Sequence, residues 1–197
     1  MEKYLSEIKK YAPPAVRSYE VIDGEIIFKF RTLFSVDDVS MGVIGHNRKT
    51  GKIYINIPNV VEVNFLNDNS KLFEYLLFAQ SYYDIDFGRF RFNIDAGNCF
   101  IEGQFDDKLP ITGEILAWGM RCCIRLLLSL EFEIKRRKSI LLMDNGFMNP
   151  DEYEIKYKEL IDELYRLTNI GTKKELKSSK SSKSSKASKA SKGADEL

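Results

Sequence analysis

The chain has 197 residues, 44% of them hydrophobic and 12% aromatic, which is enough for one medium domain with a substantial core. Thirty Lys and Arg stand against 29 Asp and Glu, and the formal net charge of +1 excludes a strongly basic or acidic binder as a whole. The balance is uneven. Residues 172–197 carry eight Lys and three acids, a net of +5, which leaves the first 171 residues at −4.

In chain order, residues 2–11 read as a short amphipathic helix, with Tyr4, Leu5, Ile8 and Tyr11 spaced to share a face. Pro13-Pro14 stops it, because proline cannot continue the hydrogen-bond ladder. Gly24 opens a strand in which Ile26, Phe28 and Phe30 alternate with Ile27, Lys29 and Arg31. Residues 39–45 and 53–57 read as two more strands, joined by the polar hairpin loop from His46 to Gly51. Ile53, Ile55 and Ile57 are expected to face inward, Tyr54 and Asn56 outward. A second helix is expected after Asp68-Asn69-Ser70, a run of good N-cap residues. Strands at 89–94 and 99–105 follow, with Asp95-Ala96-Gly97-Asn98 supplying turn residues between them.

The longest helix is expected from Glu114 to Ile134, capped by Thr112. Arg121, Arg125 and Ser129 recur every four residues as one narrow wet stripe, and the rest is apolar around more than half the circumference. Such a helix needs covering on two sides, by its own sheet and by either the C-terminal helix or a second subunit. Ile115, Trp118, Cys122, Leu126, Leu127 and Leu130 are therefore the candidate interface residues. Asn149-Pro150-Asp151-Glu152 opens a last helix to about residue 167, with cap, proline and acids in order, and Gly171 follows as its stop. The Lys-Ser-Ser triplets beyond cannot offset the entropy of ordering, so 172–197 is expected to be a disordered tail.

The expected class is thus α+β, an antiparallel sheet flanked by helices in the order α-β-β-β-α-β-β-α, plus an extra C-terminal helix and the tail. The divisions fall at 1–137, 138–171 and 172–197. The first residues, Met1-Glu2-Lys3-Tyr4-Leu5, place charges where a signal peptide needs an apolar stretch. The richest apolar run, residues 115–130, is interrupted by Arg121 and Arg125 and reads as no membrane span. Cys99, Cys122 and Cys123 fit no disulfide framework or zinc site and read as reduced thiols of a cytoplasmic protein. The closing Ala194-Asp195-Glu196-Leu197 resembles an ER-retention signal, but without an entry signal chance accounts for it.

No reaction is named by these residues. His46 is the one histidine and falls in a surface loop, so no Ser-His-Asp or Cys-His pair is built on it. Cys122 and Cys123 point about 100° apart on a helix and cannot share a metal. Asp84, Asp86, Asp106 and Asp107 lack the glycine-bearing calcium loop and read as strand-edge carboxylates. Asp86-Phe87-Gly88 spells a kinase triplet without its companion motifs, and Arg89-Phe90-Arg91-Phe92 is explained by strand alternation rather than RNA binding. No catalytic, cofactor or metal residues are assigned. The tail is left with three readings: lysines Lys177, Lys180, Lys183, Lys186, Lys189 and Lys192 screening a polyanion, a solubilising appendage, or a site of serine phosphorylation.

Residues 72–134, with the Leu76-Leu77 helix, the strands at 88–94 and 99–105, Leu109-Pro110 before Thr112 and the long apolar helix, resemble the YbjN-like family of the type III secretion chaperone-like fold. The resemblance implies a small α+β domain, often dimeric, that binds proteins and catalyses nothing. The helix at 150–167 and the Lys/Ser tail fall outside the family pattern. The expected function is a cytoplasmic chaperone- or adaptor-like module binding a client protein or a second copy of itself as a homodimer. The alternative is a scaffold that holds nucleic acid or another polyanion through the tail alone, and no membrane role is expected.

Overall fold

The computed structural model describes residues 1–34, 39–62, 74, 88–95, 98–105 and 110–168. A 3-10 turn at Glu2–Tyr4 leads into helix α1 (Leu5–Tyr11). Four strands follow: β1 (Val16–Ile22), β2 (Glu25–Arg31), β3 (Val39–His46) and β4 (Ile53–Glu62). Then come β5 (Gly88–Asp95), β6 (Asn98–Phe105), the long helix α2 (Gly113–Asp144) and α3 (Pro150–Thr168). The six strands form one antiparallel sheet in the order β1-β2-β3-β4-β6-β5. This is the α+β class expected. The helix anticipated after Ser70 lies, apart from Glu74, outside the described residues, as does the tail.

Alternation places the sheet's two faces. Ile26, Phe28 and Phe30 of β2 are fully buried, with Ile44, Ile55, Ile57 and Ile101 from the neighbouring strands. The register aligns Phe28 with Gly42, Ile44 with Ile55 and Ile57 with Ile101, so these positions make one continuous inner face. Helix α2 contacts β4, β5 and β6, and its other sides meet α1 and α3. Tyr54 and Asn56 turn outward as expected. The outer face is mixed: Arg91, Asn93 and Gln104 surround Glu102, and Tyr54 donates to Glu25 at 2.6 Å.

The caps confirm the helix starts. Thr112 accepts from the Ile115 amide at 3.2 Å, and Glu7 of α1 accepts from the Gly113 amide at 2.7 Å. Two orphan donors of α2 are thereby satisfied, one of them by a residue 106 positions earlier. Asn149 accepts from the Glu152 amide at 2.8 Å ahead of Pro150, the expected opening of α3.

Three elements differ from expectation. Strand β1 was not anticipated: a register shift between Val16 and Ser18 resets its alternation, so no period of two runs through it. The Asp23-Gly24 turn that closes it onto β2 has positive φ at both residues, 51° and 82°, the geometry of a tight two-residue hairpin. Strand β4 extends to Glu62 past Pro58, and its register on β6 shifts between Ile57 and Val61, where proline can donate no ladder bond. Helix α2 runs to Asp144, ten residues beyond the expected end, and the division expected at 137/138 falls within it. Gly146, at φ 74°, ends it: the amides of Asn145, Gly146 and Phe147 return to the carbonyls of Leu141, Met143 and Leu142.

Gly42 is required by packing rather than by its dihedrals. The tip of the Phe28 ring sits against it, and a Cβ there would fall inside the ring's van der Waals envelope. Gly42→Val should therefore destabilise the chain by about 1–3 kcal/mol through overpacking, read as a lower urea midpoint. An unchanged midpoint would show that the Phe28 ring is not held there.

Candidate functional site

The residues singled out as an interface are the spine of the fold. Cys122, Leu126, Leu127 and Leu130 are at most 4% exposed within the single chain, and Ile115 and Trp118 are half-buried against the same core. A partner reaches the first four only if the chain opens. Arg121, Arg125 and Ser129 do form the stripe left partly or fully exposed. Lys177, Lys180, Lys183, Lys186, Lys189 and Lys192, together with Asp84, Asp86, Asp106 and Asp107, lie outside the described residues.

His46 is exposed at the end of β3, beside a loop in which Asn47 accepts from the Lys49 and Thr50 amides at 3.0 and 3.2 Å. All three cysteines are buried free thiols. Burial pushes Cys99 up to about 11 and Cys122 to about 12, and Cys123 is well above its ordinary value for the same reason. Thiols held protonated in this way are poor nucleophiles at neutral pH. Among the described residues no three His, Cys, Asp or Glu side chains are grouped to hold a metal ion, and no helix is long and apolar enough to cross a membrane.

Sequence reasoning missed a buried carboxylate. Glu131, on α2, is 4% exposed and accepts from the Leu33 amide at 2.6 Å, with the Thr32 hydroxyl and the Phe34 amide as further donors. Lys135, one turn on, donates to the Leu33 carbonyl and lies over the Phe34 ring, 5.5 Å from its centroid. These two side chains fasten the segment leaving β2 to the middle of α2. Burial raises the Glu131 carboxyl to about 7, against the lowering pull of the Leu33 amide, the Thr32 hydroxyl, the Lys135 charge and the Phe34 amide. The i, i+4 spacing of Glu131 and Lys135 looks like an ordinary surface pair, so only the sheet position opposite reveals the clamp.

Beside the clamp, α2 and α3 diverge to leave an open cleft of about 560 Å³ against the end of β2. Arg31, Lys135, Lys138, Lys156 and Arg166 supply five cations to its lining, against the acids Glu159 and Glu163. Leu33, Leu142, Met148 and Leu160 are its apolar lining residues. Glu163 is bound by Arg166 at 2.6 Å and is held below the usual carboxylate range by that hydrogen bond, with Arg31 and Lys135 adding to the pull. Deeper in the hairpin, Phe132 packs on Tyr157 and Tyr157 stacks on Tyr153, both at 5.9 Å between centroids.

A second open surface is the β1 side of the sheet. Among the described residues β2 is the only strand paired with β1. Val21 and Ile22 are 37% and 47% exposed on it, and Met41 of β3, on the same outer face as Ile22, is 52% exposed. Comparisons with family models, with curated proteins and with solved structures find no match to the chain.

The Glu131 carboxyl sets a pH dependence. Its folded value lies above the ordinary 4.5, so the folded chain holds this proton more tightly than the unfolded chain does. The stabilising contribution is complete below about 4.5 and is lost as pH rises through about 7. Stability should fall by about 3 kcal/mol across that window from this group, at ~1.4 kcal/mol per tenfold. Glu133 and Glu163, held low by their arginines, act with the opposite sign only at more acid pH. Denaturant titrations from pH 5 to 8 should show the decline in the wild type and its absence in Glu131→Gln. Parallel profiles would remove Glu131 as the source.

Proposed function

We propose that the chain is a non-catalytic, cytoplasmic protein-binding module, chaperone- or adaptor-like and resembling YbjN-type proteins, that takes an extended segment of a partner onto the β1 edge. The observation that carries this is the unpaired side of β1 among the described residues. An edge strand presents a row of backbone donors and acceptors that a further strand can satisfy, and neighbouring side chains supply selectivity. Ile22, exposed on that edge strand, offers an apolar footing for a side chain of the partner segment. The three buried free thiols fit a reducing compartment. A second copy of the chain, joined β1 to β1 as a homodimer, is one partner of the same chemistry. The other reading, a scaffold holding a polyanion through Lys177 to Lys192, rests on the +5 and −4 split of charge between tail and body.

One affinity capture separates the two, using the full chain, Ile22→Lys and a chain shortened after residue 171, each with its solution mass measured. A lysine at the edge should disfavour strand addition, so Ile22→Lys should lose about tenfold of the captured protein, or of its dimer, while the shortened chain keeps both. Capture that survives Ile22→Lys but vanishes with the tail, and fades steeply with salt, would overturn the edge-binding account in favour of the polyanion scaffold.

A further inference from the structure

We infer that the cleft between α2 and α3 is a binding site for a single-chain anionic amphiphile, a carboxylate or phosphate head on an alkyl tail. The inference is independent of the β1 edge and rests on how the cleft's lining is graded. Helices α2 and α3 are joined by the short turn after Asp144, so positions late in α2 lie opposite positions early in α3. Arg31, Lys135 and Arg166 gather at the end near the β2 exit, where all three act on Glu163. Leu142 and Met148 line the other end, next to the turn, with Leu160 between and with Lys138 and Lys156 on the rim beside them.

The cations of the cleft are not all used up by the chain's own acids. Glu163 is matched by Arg166, and Lys156 by Glu152 at 2.9 Å. Among the described residues neither Arg31 nor Lys138 lies within ion-pair distance of an acid, and Lys135 bonds to the Leu33 carbonyl and lies over the Phe34 ring, its charge and that of Arg31 acting on Glu163 only at longer range. With Glu152 holding Lys156, five lining cations against three acids leave a net excess of two positive charges beside an apolar floor. An inorganic anion would satisfy the cations and leave the floor wet; a neutral lipid would cover the floor and leave the cations facing it. A ligand with both parts satisfies both ends, and a cleft of 560 Å³ lies within the ~300–1,000 Å³ of small-molecule sites.

The test is calorimetric titration of the full chain with decanoate and with decyl phosphate, each below its micelle concentration. Decyl maltoside, inorganic phosphate, an oligoglutamate peptide and phosphatidylglycerol vesicles serve as comparison arms. Both amphiphiles should bind one to one and weaken with salt, and decyl maltoside and inorganic phosphate should each bind about tenfold less tightly or not at all. Arg31→Gln should weaken the charged ligands about tenfold, and Leu142→Glu should do the same from the opposite end. Lysines of the tail are common to all three proteins, so a difference among them reports on the cleft alone. Both variants should keep the wild-type circular dichroism and melting profile. If Leu142→Glu does not, Arg31→Gln and Lys138→Gln carry the comparison. Equal binding of decyl maltoside, affinities unmoved by the variants, or tighter binding of inorganic phosphate or oligoglutamate would overturn the assignment. Binding to vesicles without binding to free amphiphile would overturn it too, in favour of a membrane surface.

Discussion

Helix α2 is apolar around most of its circumference and has to be covered, and the rest of the structure follows from how that is done. Leu116, Met120, Cys123, Leu126 and Leu130 are all fully buried, while only a stripe through Arg121, Arg125 and Ser129 reaches water. Each such side chain is worth roughly 1.5–3 kcal/mol relative to exposure, so leaving one face open would remove more than a typical domain's net stability. The sheet takes one side of the helix, and α1 and α3 take others. Glu7 fixes the start of α2, and the Glu131–Lys135 pair ties its middle to the end of β2.

That cover has consequences for binding. Because the chain's own elements occupy Leu126, Leu127 and Leu130, the apolar surface that looked like an interface is not on offer. What remains available lies at the margins of the cover. One margin is the β1 edge, one of the two ends of the sheet among the described residues. Another is the seam between α2 and α3, lined by leucine and methionine together with arginine and lysine. The clamp and the seam share Lys135, which reaches the Leu33 carbonyl while also lining the cleft. An anion held there would therefore lie beside the contact that fastens the β2 exit.

Much of the fold was legible in the sequence, and the reasons are local. The alternation of Ile26, Phe28 and Phe30, the cap at Thr112 and the Asn149-Pro150 start are signals carried within a few residues, and each appears where expected. The β1 strand was hidden because its register shift breaks the alternation, although the Asp23-Gly24 pair between apolar residues was a hairpin signal. The expected end of α2 falls short because the apolar run closes at Ile134, whereas the charged turn after it continues the helix, with one tie to the β2 exit and two within α2. Lys135 reaches the Leu33 carbonyl, Arg136 binds Glu133 at 2.8 Å and Arg137 binds it at 3.0 Å. Neither the cleft nor the clamp was readable. The cleft joins Arg31 to Arg166 across 135 positions, and the Glu131 clamp spans 98, distances over which no spacing rule operates.

The central claim is that α2 is covered from within one chain. Native-state hydrogen exchange of the α2 amides from Leu116 to Leu130 tests it most directly, measured at protein concentrations spanning about a hundredfold. Exchange that is slow, uniform along the segment and independent of concentration is the result expected. Protection that rises with concentration would contradict the account, because part of the cover would then come from a second copy.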